Sequence, residues 1–145
     1  MRILVASQEF KGSLTAREAA QAIAAGLRRA LPDAEIESLP LADGGPGTVA
    51  ALISATEGRF FESAAHDPLG RAVRARWGAL GGGRTAVIEM AAASGLTLLR
   101  PNELDPWRAS SFGTGELVRA ALDAGYPRMI VGVGGSATNE GGAGL

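Results

Sequence analysis

Apolar positions along the chain fall into two rhythms. Arg2 to Ala6 (RILVA), Glu35 to Leu39, Arg59–Ala65, Ala72–Trp77, Thr85–Glu89 and Arg128 to Val133 (RMIVGV) are short runs with β-branched or aromatic members, and they read as strands. The first is continuous enough for a strand covered on both faces, as in a parallel sheet, and the last reads as another buried strand. Between them the period lengthens. Ala19, Ile23, Ala24 and Leu27 recur at helical spacing behind a Thr15/Glu18 capping box and ahead of Pro32. Further helices are expected over Thr48 to Ala55, from Met90 toward Gly95, and from about Thr114 to Ala124 before a Gly125 stop.

This order predicts an α/β fold: a Rossmann-like parallel sheet with flanking helices, plus a second, mixed α/β subdomain. The texture turns to β at Arg59, after which Asp67-Pro68-Leu69-Gly70 and Gly81-Gly82-Gly83 mark turns. The expected division is therefore 1–58, the first part of the Rossmann-like domain, and 59–145, the start of an inserted subdomain, both incomplete. The chain stops just after a glycine-rich loop that would ordinarily lead into a helix, so it reads as truncated at its C-terminus.

Bulk composition narrows the function classes. With 46% hydrophobic and 20% charged residues the chain can bury a core, and a formal charge of -1 leaves no broad basic surface for nucleic acid or an anionic membrane. No apolar stretch approaches the roughly 20 residues of a membrane-spanning helix. The first apolar run is too short for a signal-peptide core, and cysteine is absent, which suits a cytoplasmic enzyme. Twenty-one glycines gather at turns instead of spreading as a linker would.

Three loops lie between a strand and a helix, where open α/β sheets collect ligands. Ser7 to Leu14 (SQEFKGSL) holds Lys11, the only lysine in the sequence, beside Gly12 and Ser13. Its ammonium suits a phosphate, although a solvated lysine is the plainer account. Leu41 to Thr48 (LADGGPGT) sets Asp43 before Gly44 and Gly45. Asp43 either holds magnesium or takes a proton from a substrate hydroxyl, with capping as the plainer account, and backbone N–H groups beside it face an anion. Gly132 to Gly144 interleaves Gly134 and Gly135 with Ser136, Thr138 and Asn139, a supply of backbone and hydroxyl donors for phosphate oxygens, with Glu140 placed for a metal or a hydroxyl. It fits neither the Walker pattern nor the dinucleotide fingerprint. His66 lacks a companion ligand, Glu89 and Ser111–Glu116 read equally as helix-terminus partners, and Trp77 and Trp107 as core or interface.

Together FKGSL at Phe10–Leu14, LADGGPGT at Leu41–Thr48, DPLG at Asp67–Gly70, AVIEMAAASGL at Ala86–Leu96, SFGTGEL at Ser111–Leu117 and GVGGSATNEGGAG at Gly132–Gly144 resemble, in this order, the bacterial type I glycerate kinases. The resemblance implies ATP- and magnesium-dependent phosphorylation of glycerate by a two-domain protein over twice this length, with no nucleic-acid or membrane partner and with room for a homo-oligomer. It makes Lys11 and Asp43 the catalytic candidates, and Ser13, Gly44, Gly45, Gly134, Gly135, Ser136, Thr138 and Asn139 the substrate- and phosphate-binding ones. Three departures stand out. Ser7-Gln8-Glu9 replaces the family's Pro-Asp-Ser, Pro46 its Glu, and Glu140 its Asp. They leave room for a relative that binds without turnover, or for an inactive fragment.

Overall fold

The computed structural model describes residues 1–10 and 13–145, and it divides into two compact units, Met1–Asp43 and Gly44–Leu145. Compactness thus changes at Asp43/Gly44, ahead of the texture change at Arg59, because the helix between the two points packs with the later strands.

In the first unit, strand β1 (Arg2–Val5) pairs in parallel with β2 (Glu35–Ser38), in the register Arg2↔Glu35 to Val5↔Ser38. Helix α1 (Ala16–Ala30) links them. Its start is set by the expected capping box: Glu18 N–H donates to Thr15 Oγ1 at 3.2 Å, and Thr15 N–H to Glu18 Oε2 at 2.8 Å. The buried stripe of α1 is small, Ala20 and Ala24, so the helix lies close on Val5, with Leu27 and Ile36 alongside. One face of the strand pair is covered and the other is not. Leu4 is 57% exposed, so β1 is not the doubly covered strand its sequence suggests.

The second unit runs α2 (Thr48–Thr56), β3 (Arg59–His66), β4 (Ala72–Ala79), β5 (Thr85–Glu89), α3 (Ala91–Ser94), two 3₁₀ turns, α4 (Phe112–Asp123) and β6 (Arg128–Gly132). The sheet order is β3-β4-β5-β6, antiparallel except for the parallel pair β5/β6. Alternation along β5 explains the layering: Ala86 and Ile88 face a core completed by Ala93, Leu117 and Ala121 of α3 and α4, while Val87 faces Val49 and Ile53 of α2. Trp77 sits in the larger core, 2% exposed, stacked on Phe61 at 4.4 Å and donating through Nε1 to Ser63 Oγ at 3.0 Å. Strand β6 departs from expectation like β1: Ile130 and Val131 are 43% and 40% exposed, since β6 pairs only with β5 and lies at the sheet's edge among the described residues.

The DPLG turn between β3 and β4 is built around Asp67, 4% exposed. Its Oδ1 accepts from Leu69 N–H and Arg71 N–H, both at 2.9 Å, and its Oδ2 from Arg71 Nε at 2.5 Å. Burial pushes the carboxyl up, but the bonds from Arg71 and Leu69 outweigh it and hold Asp67 below the usual carboxylate range.

Candidate functional site

Strands β5 and β6 run parallel, and their carboxyl ends, Glu89 and Gly132, stand in register. Each strand opens there into chemistry-bearing chain. After Gly132 comes the glycine-rich loop, and against it lies the segment that starts α2. Gly134 N–H donates to Gly44 O at 2.9 Å. A Cβ at Gly132 would collide with the Gly44 carbonyl oxygen, and one at Gly134 would lie 2.7 Å from both N and Cα of Gly45. Backbone therefore touches backbone, and glycine at 132 and 134 is a requirement of space. Gly135, at φ +73°, turns the chain in the left-handed region.

The start of α2 is closed from within. Its N-cap is Gly47, which has no side chain to cap with. Thr48 Oγ1 donates to Gly45 O at 2.7 Å and accepts from Gly44 N–H at 3.1 Å. Val49 N–H donates to Glu89 Oε1 at 2.6 Å. The expectation that N–H groups beside Asp43 face an anion thus meets a helix end whose Val49 donor is already held by a carboxylate.

The loop beyond Gly134 is different. Ala137 N–H donates to Ser94 O at 2.8 Å, and Leu96 N–H to Gly135 O at 2.9 Å, which fastens the loop along the chain after β5. Ser94 in turn is buried with its hydroxyl 2.7 Å from that of Thr114 on α4. Ser136 and Thr138 pair through their hydroxyls at 2.8 Å, and Thr138 N–H donates to Ser136 Oγ at 3.0 Å. Asn139 is exposed. Among the described residues the N–H groups of Gly135, Ser136, Asn139 and Gly141 have no partner within the chain, while that of Glu140 turns to its own carboxylate. Gly141 and Gly142 both have positive φ, +68° and +85°, so the loop turns through the left-handed region there.

Glu140 closes the loop onto α4. Its Oε1 accepts from Ser111 N–H at 2.7 Å and Ser111 Oγ at 2.5 Å, and its Oε2 from Gly142 N–H at 3.2 Å. Ser111, the N-cap of α4, caps it with no hydroxyl bond of its own; the hydroxyl goes to Glu140. His66, at the end of β3, has Nδ1 3.0 Å from both oxygens of Glu116, which also accepts the His66 N–H at 2.8 Å. Among the described residues no three His, Asp or Glu side chains gather as a metal cage.

In the first unit, Ser7 after β1 and Leu41 after β2 are joined by Leu41 N–H to Ser7 O at 2.9 Å, so the loops that lead to Ser13 and to Asp43 start side by side. Ser13 and Asp43 are exposed, and Ser13 N–H donates to Phe10 O at 2.8 Å in a turn. Lys11 lies outside the described residues.

The sequence model described as Glycerate kinase family matches residues 3–145. The chain belongs to the glycerate kinase family. It is 54% identical over 145 residues to a glycerate kinase of Bacillus subtilis and 52% identical to a glycerate 2-kinase of Escherichia coli, in each case all of this chain and 38% of the relative. A Salmonella typhimurium LT2 crystal structure assigned as glycerate kinase 2 superposes with a TM-score of 0.79 at 53% identity, over 99% of this chain and 39% of that one. The chain therefore spans about two fifths of the length of the glycerate kinases it matches. Sequence reasoning left Glu89 open as a helix-terminus partner, and its bond from Val49 N–H makes it one, at the start of α2. The signal was present: a helix opening on Gly-Pro-Gly-Thr has no acidic or hydroxylated N-cap and must find its acceptor elsewhere.

Proposed function

We propose that the intact protein transfers the terminal phosphate of ATP to glycerate, and that the loop 134–142 is the part of this chain that receives phosphate oxygens. The observation that carries this reading is the set of N–H groups without a partner among the described residues, at Gly135, Ser136, Asn139 and Gly141, in a loop anchored on both sides and turned by Gly135, Gly141 and Gly142. Fixed donors of this kind stabilise charge without reorganising as it develops. Phosphoryl transfer asks the protein mainly for alignment and neutralisation. Lys11 is assigned a positive charge for phosphate, Ser13 a hydroxyl donor, and Asp43 a carboxylate to orient the attacking hydroxyl of glycerate. The Escherichia coli relative is named for the 2-position, and the same hydroxyl is assigned here.

Magnesium would neutralise phosphate charge. The donor set suits an ion that arrives with the nucleotide and is held mostly by phosphate and water, with one or two carboxylates from the protein. Glu140 already accepts bonds from Ser111 and Gly142 on both oxygens, so an ion there would compete with the closure of α4. Asp43 is the assigned carboxylate.

The test is ADP release by the full-length gene product with ATP, magnesium and D-glycerate, with ³¹P NMR of the product. Turnover to 2-phosphoglycerate is expected. Binding of ATP without turnover would replace the kinase reading by that of a binding module, to which Gln8 and Pro46 would then be the first residues to revert.

A further inference from the structure

We infer that Glu89 is a positioning residue for phosphate binding: through the start of α2 it fixes the support on which the loop 134–142 rests. The inference deepens the phosphotransfer reading and rests on it.

Helix α2 has an unusual cap, Gly47, with no side-chain cap bond. A helix opening on glycine needs only a serine or aspartate at that position for stability. Instead the acceptor for Val49 N–H comes from the end of β5, forty residues later, at 2.6 Å. A carboxylate delivered from such a distance ties together segments that a local cap would leave independent. The connections form a circuit. Val49 adjoins Thr48, whose hydroxyl accepts from Gly44 N–H at 3.1 Å and donates to Gly45 O at 2.7 Å. Gly44 O then accepts from Gly134 N–H at 2.9 Å, and Gly132 O accepts from Met90 N–H, the residue after Glu89, at 2.8 Å. Gly134 is where the anion-receiving loop departs.

Two consequences follow. The positive end of α2 is answered by Glu89, so it does not compete with the loop 134–142 for substrate phosphate. And since the circuit contains only glycine backbone between Thr48 and Gly134, with no side chain to take up slack, a displaced Val49 is passed on to the loop. What matters in this role is the reach of the acceptor oxygen, whereas a residue touching nucleotide or ion directly would need its charge.

Glu89→Gln and Glu89→Asp separate the two cases, measured in the full-length protein by calorimetry of ATP binding. Gln keeps the length and an oxygen that accepts from Val49 N–H; Asp keeps the charge and is one methylene short. The expected order is wild type, then Gln within about threefold in affinity, then Asp weaker than wild type by about tenfold or more. Ser63→Ala, which removes the acceptor of Trp77 Nε1 in the core of the sheet, is expected to lower the melting temperature and leave ATP affinity in place. The Val49 amide proton, carried far downfield by its short bond, is expected to move upfield in Glu89→Asp more than in Glu89→Gln. The inference is overturned if Gln is the more damaging change, if both variants bind ATP as wild type does, or if the Val49 resonance ignores them. A wild-type protein that does not bind ATP would instead sink the phosphotransfer reading, and the inference with it.

Discussion

The Glu140 carboxylate accepts hydrogen bonds from Ser111 N–H at 2.7 Å, the Ser111 hydroxyl at 2.5 Å and Gly142 N–H at 3.2 Å. The Ser111 hydroxyl, ahead of the backbone donors, holds it below the ordinary glutamate value of 4.5, against a burial that pushes it up. A depressed folded-state value means stabilisation that is present above the unfolded value and lost as pH falls through the folded one. Glu140→Gln should therefore destabilise the chain at neutral pH, with the difference from wild type shrinking below about pH 4.5 as the native carboxyl protonates. Urea unfolding at pH 7 and pH 3.5 checks this, and an equal difference at both pH values would contradict it. The glutamate is matched to Ser111, a pairing across 29 residues that single-sequence reading could not see.

At the scale of elements, the glycines are the feature whose reason changed on seeing the structure. Their positions were legible, as were the strand and helix cores, because periodicity and turn chemistry act locally. Which glycines turn the loop and which allow close packing was not, because that depends on the opposing segment. Gly132 and Gly134 are held by Gly44 and Gly45, while Gly135, Gly141 and Gly142 turn the loop. Gly134→Ala inserts a methyl 2.7 Å from the backbone of Gly45 and should destabilise by about 1–3 kcal/mol, the usual range for overpacking. It should weaken ATP binding in the full-length protein as well, and thermal melts beside calorimetry would show whether the two losses travel together. Thr15 was equally legible as a cap, since its partner Glu18 lies in the same turn.

At the scale of the whole molecule, the misread feature is coverage. β1 and β6 have the composition of buried strands, yet Leu4, Ile130 and Val131 are 57%, 43% and 40% exposed, and Val133 just after β6 is 68% exposed. Composition reports the environment a strand is suited to, and in this structure these apolar side chains stay open to solvent. Purified alone, the 145-residue chain should associate in a concentration-dependent way in sedimentation velocity, whereas the full-length product should not do so through these faces; monomeric behaviour of the short chain at all concentrations would contradict this. Trp77 and Trp107 mark the two extremes of coverage, at 2% and 96% exposure. Excited together they emit from an apolar and an aqueous setting. A dissolved quencher silences Trp107 first and leaves Trp77, whose emission follows the four-stranded sheet, so the chain carries an optical gauge of its folded core and an internal reference beside it.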